Sequence, residues 1–220
     1  MDLNSLNSLN VDEYISNKYD EACYKVSDIN ELVPDLYKYA KECTSIIECG
    51  VSEGNSSWGL FKGLCENGNE NKTFLQCDLP TKLCQYETTM KELCKMKNIN
   101  HTFYRMSDLD IVFEDDVRFD LTFIDTWHIY GQLKRELNKY APITNKYILM
   151  HDTQVDGEIG ESLRVRSDID EESRLTGIPV EEIKKGLLFA INEFLESHNE
   201  WKIDLVKQNN NGLIVLKRVQ

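Results

Sequence analysis

The sequence contains no run approaching the roughly 20 apolar residues that a membrane-spanning helix needs. Its first ten residues, MDLNSLNSLN, lack the basic-then-apolar order of a secretory signal. The expected location is the cytoplasm, with no membrane partner. Positive charge is scarce: 25 Lys and Arg stand against 38 Asp and Glu, a net charge of -13 in 220 residues. Because nucleic-acid affinity rests on Lys and Arg contacts to phosphates, no nucleic-acid partner is expected. Cysteines at metal or redox spacing are missing too. The seven cysteines (23, 43, 49, 65, 77, 84 and 94) are odd in number, and none forms C-x-x-C. They are expected to be reduced, mostly buried small hydrophobes. Neither an internal repeat nor a linker interrupts the chain, so a single domain over residues 1–220 is expected. A core of that size buries roughly 70% of the unfolded surface without disulfides or a structural metal. Homo-oligomerisation is left open.

What is present is an alternation of strand and helix signals. Residues 1–27 read as a partly flexible N-terminal extension. Ile29, Leu32, Val33, Leu36, Tyr37 and Ala40 follow helical spacing behind Ser27 or Asp28 as a cap. A strand at 45–48 runs through a glycine-containing turn into a helix from Asn55 or Ser56. Strands at 73–78, 102–106, 120–125 and 146–152 follow, with helices near 87–97 and 130–140 between them. This order predicts an α/β doubly wound, mainly parallel sheet. Residues 153–179 are polar, carry Arg164 and Arg166, and have the length of a functional lid. An amphipathic helix over 180–195 and a hairpin through Asn-Asn-Asn-Gly to residue 219 close the chain.

The chemistry-bearing residues collect at strand ends, where open α/β sheets bind ligands. The first block is IIECGVSEGNSS, in which Glu48 is followed by Gly50, Gly54 and Ser56 at a helix start. A dinucleotide fingerprint would place its second glycine two residues earlier. The wider turn, with Glu48 and Glu53, suits a ligand carrying an amino or sulfonium cation, such as S-adenosylmethionine. A turn serving only strand–helix packing is the alternative. Asp78 lies 24 residues after Gly54, where this fold places a carboxylate for ribose hydroxyls. It can equally be a surface acid before Pro80. Ser107 and Asp108 follow the third strand, in position for polar contacts to an adenine.

Asp125 and Asp152 close neighbouring strands, 27 residues apart, so their carboxylates can converge. Two carboxylates forced together repel, and a divalent cation is a common way to hold them. Oxygen donors favour magnesium, manganese or calcium, while a ligating His151 shifts the preference toward transition metals. His128, three residues beyond Asp125, has the unperturbed pKa of about 6.5 that suits proton abstraction near neutrality. Loop capping and packed histidines are the competing explanations for these positions.

With the later blocks FDLTFIDTWHIYGQLKRELNKYAP, YILMHDT and NGLIVLKR, the sequence resembles class I S-adenosylmethionine-dependent methyltransferases. Within them it is most similar to the small-molecule O-methyltransferases that include macrocin-type sugar methyltransferases and the so-called cephalosporin hydroxylase group. The resemblance implies a seven-stranded sheet with an antiparallel last strand and a small polar acceptor such as a sugar. It implies a cofactor held by the Glu48–Ser56 turn, with Gly50, Gly54 and Ser56, and by Asp78; Ser107, Asp108 and Asp125 are further cofactor contacts expected from the strand ends. It further implies a divalent metal, magnesium first, at Asp125, His151 and Asp152, with Asp125 and His128 as the catalytic pair. Two departures stand out: Thr144-Asn145-Lys146 replaces the family's glycine pair, and His151-Asp152 replaces two acids or an acid and an amide. A cofactor-binding module without catalysis and a nicotinamide oxidoreductase are the alternatives.

Overall fold

The structure is a computed structural model describing residues 8–80 and 87–219. Cys84 and the first seven residues lie outside them. Seven strands form one sheet in the order β3-β2-β1-β4-β5-β7-β6. They are β1 (Ser45–Cys49), β2 (Lys72–Asp78), β3 (Ile99–Arg105), β4 (Phe119–Ile124), β5 (Thr144–His151), β6 (Trp201–Lys207) and β7 (Leu213–Arg218). β1, β2 and β3 pair in parallel, whereas β7 pairs antiparallel with both β5 and β6. This is the expected doubly wound sheet with an antiparallel C-terminal hairpin. Among the described residues no helix is long and apolar enough to cross a membrane. The chain divides into two compact units, Met1–Phe123 and Ile124–Gln220.

In the first unit the helices are α1 (Ser8–Tyr24), α2 (Val33–Ala40), α3 (Asn55–Glu66) and α4 (Glu87–Met96). α1 occupies much of the stretch expected as an extension. It is held by burial of Val11, Ile15 and Ala22 and by an edge contact between Tyr14 and Trp58 of α3. Its apolar positions are sparse among Asn, Ser and Asp, so its helical period is weak in the sequence. α2 starts later than its apolar spacing suggests, with Pro34 in its first turn, where a missing N–H costs nothing. α2 and α3 pack closely. A Cβ at Gly63 would lie 2.5 Å from the Tyr37 carbonyl oxygen, so only glycine fits there. The six described cysteines are free, four of them buried, as expected for small hydrophobes.

The second unit holds α5 (Tyr130–Tyr140), α6 (Glu161–Arg164), α7 (Ile169–Thr176), α8 (Val180–Ile183) and α9 (Leu187–Ser197). Its core joins Leu133 and Leu137 of α5 to Ile191 and Phe194 of α9 and to Ile148, Ile214 and Leu216 of the sheet. The single amphipathic helix expected over 180–195 is broken into α8 and α9. At the break, Lys185 bridges to Ile159, and a Cβ on Gly186 would fall 2.3 Å from the Gly157 carbonyl oxygen. The backbone needs that close approach more than it needs helical continuity. Residues 153–179 contain α6 and α7, and α7 buries none of its residues.

Candidate active site

The glycine turn after β1 is built from backbone conformations that side chains resist. Gly50 and Gly54 have φ of 86° and 80°, and Ser52 between them is left-handed at 48°. Asp78, at the end of β2, holds this turn: its Oδ2 accepts the N–H groups of Val51 (3.1 Å) and Ser52 (2.6 Å), and its Oδ1 accepts that of Leu79 (2.7 Å). A carboxylate offers about four acceptor positions. Among the described residues three are taken, which leaves capacity for one further hydroxyl where two were expected.

Glu48 points elsewhere than a cofactor-facing acid would. It is fully buried, with Oε1 accepting from Ser56 Oγ (2.6 Å) and Oε2 from Ser57 Oγ (2.8 Å) and Gln76 Nε2 (2.6 Å). His101 Nε2 meets Gln76 Oε1 at 3.0 Å. Burial, with Lys91 nearby, pushes the His101 pKa down to about 4, so the ring is neutral at pH 7 and Nε2–H donates to Gln76. Glu48 and Ser56 thus lock the strand–helix junction from inside. Ser107 Oγ accepts from Leu109 N at 3.3 Å and starts a single 3-10 turn, in which Asp108 is buried.

The second unit gathers Asp125, His128, His151 and Asp152 at the ends of β4 and β5. Asp125 Oδ1 lies 3.2 Å from His128 Nε2 and 3.3 Å from His151 Nδ1. Asp152 Oδ2 lies 3.1 Å from the same His128 nitrogen and 3.2 Å from the same His151 nitrogen. Oxygen and nitrogen therefore alternate around a closed ring of four atoms. Asp152 takes the left-handed φ of 55°, uncommon for a residue with a side chain and the kind of strain that functional sites carry.

The other face of each imidazole is also engaged. His151 Nε2 meets the Asn210 carbonyl at 2.9 Å, so it carries a hydrogen and directs Nδ1 at the carboxylates. Asn210 and Asn211 are left-handed, and the Asn211 carbonyl accepts from Gln154 N and Val155 N, tying the hairpin turn to the segment after β5. His128 Nδ1 faces Asp156 Oδ2 at 3.4 Å and Glu161 Oε2 at 3.5 Å. Trp127, beside it, donates from Nε1 to Ser162 Oγ at 3.0 Å and packs against Ile129, Ile178 and Ile183.

Electrostatics follow from this crowding. Burial opposes charge on both rings, yet the surrounding carboxylates win: His128 is pushed up to about 10 by Asp125, Asp156 and Asp152, and His151 to about 11 by Asp125 and Asp152. Burial likewise opposes charge on Asp125, but His151 and His128 hold it well below the usual carboxylate range. Asp156 is lowered in the same way by His128 and Arg164. With only protons as counterions, both rings are imidazolium at pH 7.

Asp125, His128 and Asp152 each offer a ligand atom within 4.8 Å of the others, and His151 Nδ1 lies at the same two oxygens. Two carboxylates and imidazoles whose remote nitrogens are tied to a carbonyl or carboxylate form a chemically suitable donor set for a divalent cation. All four residues proposed from sequence for this cluster are thus brought together. Sequence reasoning missed Asp156 and Glu161, whose only local signal is acidity near Asp152 in a polar segment.

No protein-family model and no curated protein sequence matches the chain. Solved structures do. The O-methyltransferase from Bacillus cereus in complex with SAH is 14% identical with a TM-score of 0.52, covering 98% of this chain and 93% of that one. TomG, an O-methyltransferase of Streptomyces achromogenes involved in tomaymycin synthesis, in complex with SAM, is 12% identical with a TM-score of 0.56 over 100% of both chains. The N-terminal domain of EvdMO1, in the presence of SAH and D-fucose, is 11% identical with a TM-score of 0.50 over 100% of both. At these identities the likeness is one of fold, and that fold is the Rossmann-like methyltransferase fold.

Proposed function

We propose that the chain acts as one cytoplasmic S-adenosylmethionine-dependent O-methyltransferase domain on a hydroxyl of a small polar acceptor, with a sugar as the favoured class. The observation that carries this is the alternating ring of Asp125, His128, Asp152 and His151 on a fold shared with O-methyltransferases. Complexes of such neighbours with SAM or SAH support the cofactor, and the one solved with D-fucose supports the acceptor class.

The left-handed turn with Gly50 and Gly54 fits a cofactor because it keeps bulk out of the strand end, and Asp78 has room for one ribose hydroxyl. Ser107 and Asp108 supply polar contacts, while Glu48 and Ser56 contribute by fixing the turn. S-adenosylmethionine supplies an electrophilic methyl group. Asp125, His151 and Asp152 fit a divalent cation, whose charge would replace the imidazolium protons as counterion and lower the pKa of a bound hydroxyl. Their mix of oxygen and imidazole donors suits manganese or another transition ion at least as well as magnesium. His128 takes the hydroxyl proton on Nε2. Residues 153–179 close over the acceptor as a lid.

The test has two stages. S-adenosylhomocysteine should raise the melting temperature through mass action, whereas NAD should not. Release of S-adenosylhomocysteine from S-adenosylmethionine is then followed across a panel of sugars, with and without chelator. Stabilisation by NAD alone would overturn the methyltransferase assignment, and full transfer in excess chelator would remove the cation from it.

A further inference from the structure

His128 turns its remote nitrogen toward side chains, whereas that of His151 meets a backbone carbonyl. Two acids compete for it. Asp156 Oδ2 stands 3.4 Å from Nδ1, and its side chain is 0% exposed; Glu161 Oε2 stands at 3.5 Å with 33% of its side chain exposed. Arg164 grips Asp156 as a fork: Nε donates to Oδ1, and Nη2 donates to Oδ2 at 2.9 Å. The backbone adds to this hold. Asp156 N donates to the Asp152 carbonyl at 3.0 Å, and its own carbonyl accepts from Leu187 N at 2.9 Å.

A buried carboxylate beside two others is costly unless it is paired and hydrogen-bonded. Arg164 supplies the pairing, and its planar fork fixes where the oxygens lie. What remains for Asp156 is direction. A neutral imidazole has one donor and one acceptor nitrogen, and the partner of one decides the role of the other. An acceptor-only group at Nδ1 keeps the hydrogen there and leaves the Nε2 lone pair for chemistry.

We propose that Asp156, locked by Arg164, is the positioning residue of His128: it accepts from Nδ1–H and so aims Nε2 at the space flanked by Asp125 and Asp152. This rests on the methyltransferase reading for its purpose, but its geometry can be tested without any acceptor. Long-range proton–nitrogen NMR on 15N-labelled, metal-free protein at pH 7 should show His128 Nδ1–H as a slowly exchanging low-field signal, assigned by its loss in His128→Gln. Asp156→Asn should abolish the slow exchange. Glu161→Gln should leave it intact.

Arg164→Gln keeps the acid and removes only a half-exposed side chain, so it remains informative if the Asn variant fails to fold. It should speed that proton's exchange by about tenfold or more while the Nε2–H signal stays unchanged. Loss of the signal in Glu161→Gln, or its persistence in both Asp156→Asn and Arg164→Gln, would overturn the assignment. S-adenosylhomocysteine binding is measured on the same samples. Its absence in wild type would count against the methyltransferase function and leave the Asp156 result standing on its own.

Discussion

The acids at the ends of β1 and β2 and the acids just after β4 and β5 look alike in sequence, yet the structure uses them in opposite ways. Glu48 and Asp78 are met by neutral donors: two serine hydroxyls, a glutamine amide and three backbone N–H groups. Asp125, Asp152, Asp156 and Glu161 instead converge on two imidazoles and one guanidinium. A carboxylate met mainly by neutral dipoles shapes the chain around it. Carboxylates sharing too few cations hold those cations tightly and leave a place where charge can be exchanged. The first arrangement reads as architecture and the second as chemistry.

The most direct way to break this contrast is to remove one residue from each side. His128→Ala should lower methyl transfer by about 10²–10⁴-fold, the usual contribution of a positioned general base, while S-adenosylhomocysteine affinity stays near wild type. Steady-state turnover alongside calorimetric titration checks both halves; unchanged turnover would move the base to His151. Glu48→Ala should do the reverse. It strands the donors of Ser56, Ser57 and Gln76, each at about 1–3 kcal/mol when buried without a partner. Urea denaturation of the variant should show that loss, and a near-wild-type midpoint would mean the junction does not depend on Glu48.

The same contrast explains what was legible in the sequence. Strand ends and glycine turns announce themselves through local patterns, so β1 to β5, the closing hairpin and the convergence of Asp125 with Asp152 could be read directly. Whether an acid at a strand end faces outward or inward depends on partners such as Gln76, 28 residues from Glu48, and no local period encodes that. Asp156 stayed hidden for the same reason, since its significance lies in Arg164 and His128 rather than in its neighbours. The break between α8 and α9 was illegible because the apolar stripe is continuous there. What interrupts it is Gly186 pressed against the carbonyls of Asp156 and Gly157.

Asp78 lies between the two classes, and a conservative change separates its roles. Asp78→Asn keeps the size of the side chain but loses charge and replaces one acceptor with a donor. If the remaining Oδ1 position takes a ribose hydroxyl, S-adenosylhomocysteine binding should weaken by about 1.5–3 kcal/mol, the range for a hydrogen bond to a charged group. Calorimetric titration measures this. An affinity unchanged in a variant of unchanged stability would confine Asp78 to neither role and shift the ribose site to another residue.

A last comparison sets the two regions against each other most cleanly, because their histidines titrate in opposite directions. His101 is held neutral, with its pKa lowered from 6.5 to about 4 by burial. As pH falls below about 6.5 the unfolded chain takes up this proton before the folded one does, so stability present above that pH is lost on the way down to about 4. His128 and His151 are raised to about 10 and about 11. Their contribution is complete below about 6.5 and is lost as pH rises toward those values, because the unfolded rings give up their protons first. Metal-free protein should therefore lose melting temperature on both sides of neutrality, where each 1 kcal/mol corresponds to about 2–4 °C for a chain of this size. His101→Gln should flatten only the loss between pH 6.5 and about 4, and His151→Asn the alkaline limb, with its acid-side effect confined to below about 4, where Asp125 loses the partner that holds it low. A saturating divalent cation should flatten the alkaline limb of wild type as well, since it takes over as counterion to Asp125 and Asp152. If both substitutions change the loss over the same pH range, the opposed charge states of the two regions are wrong.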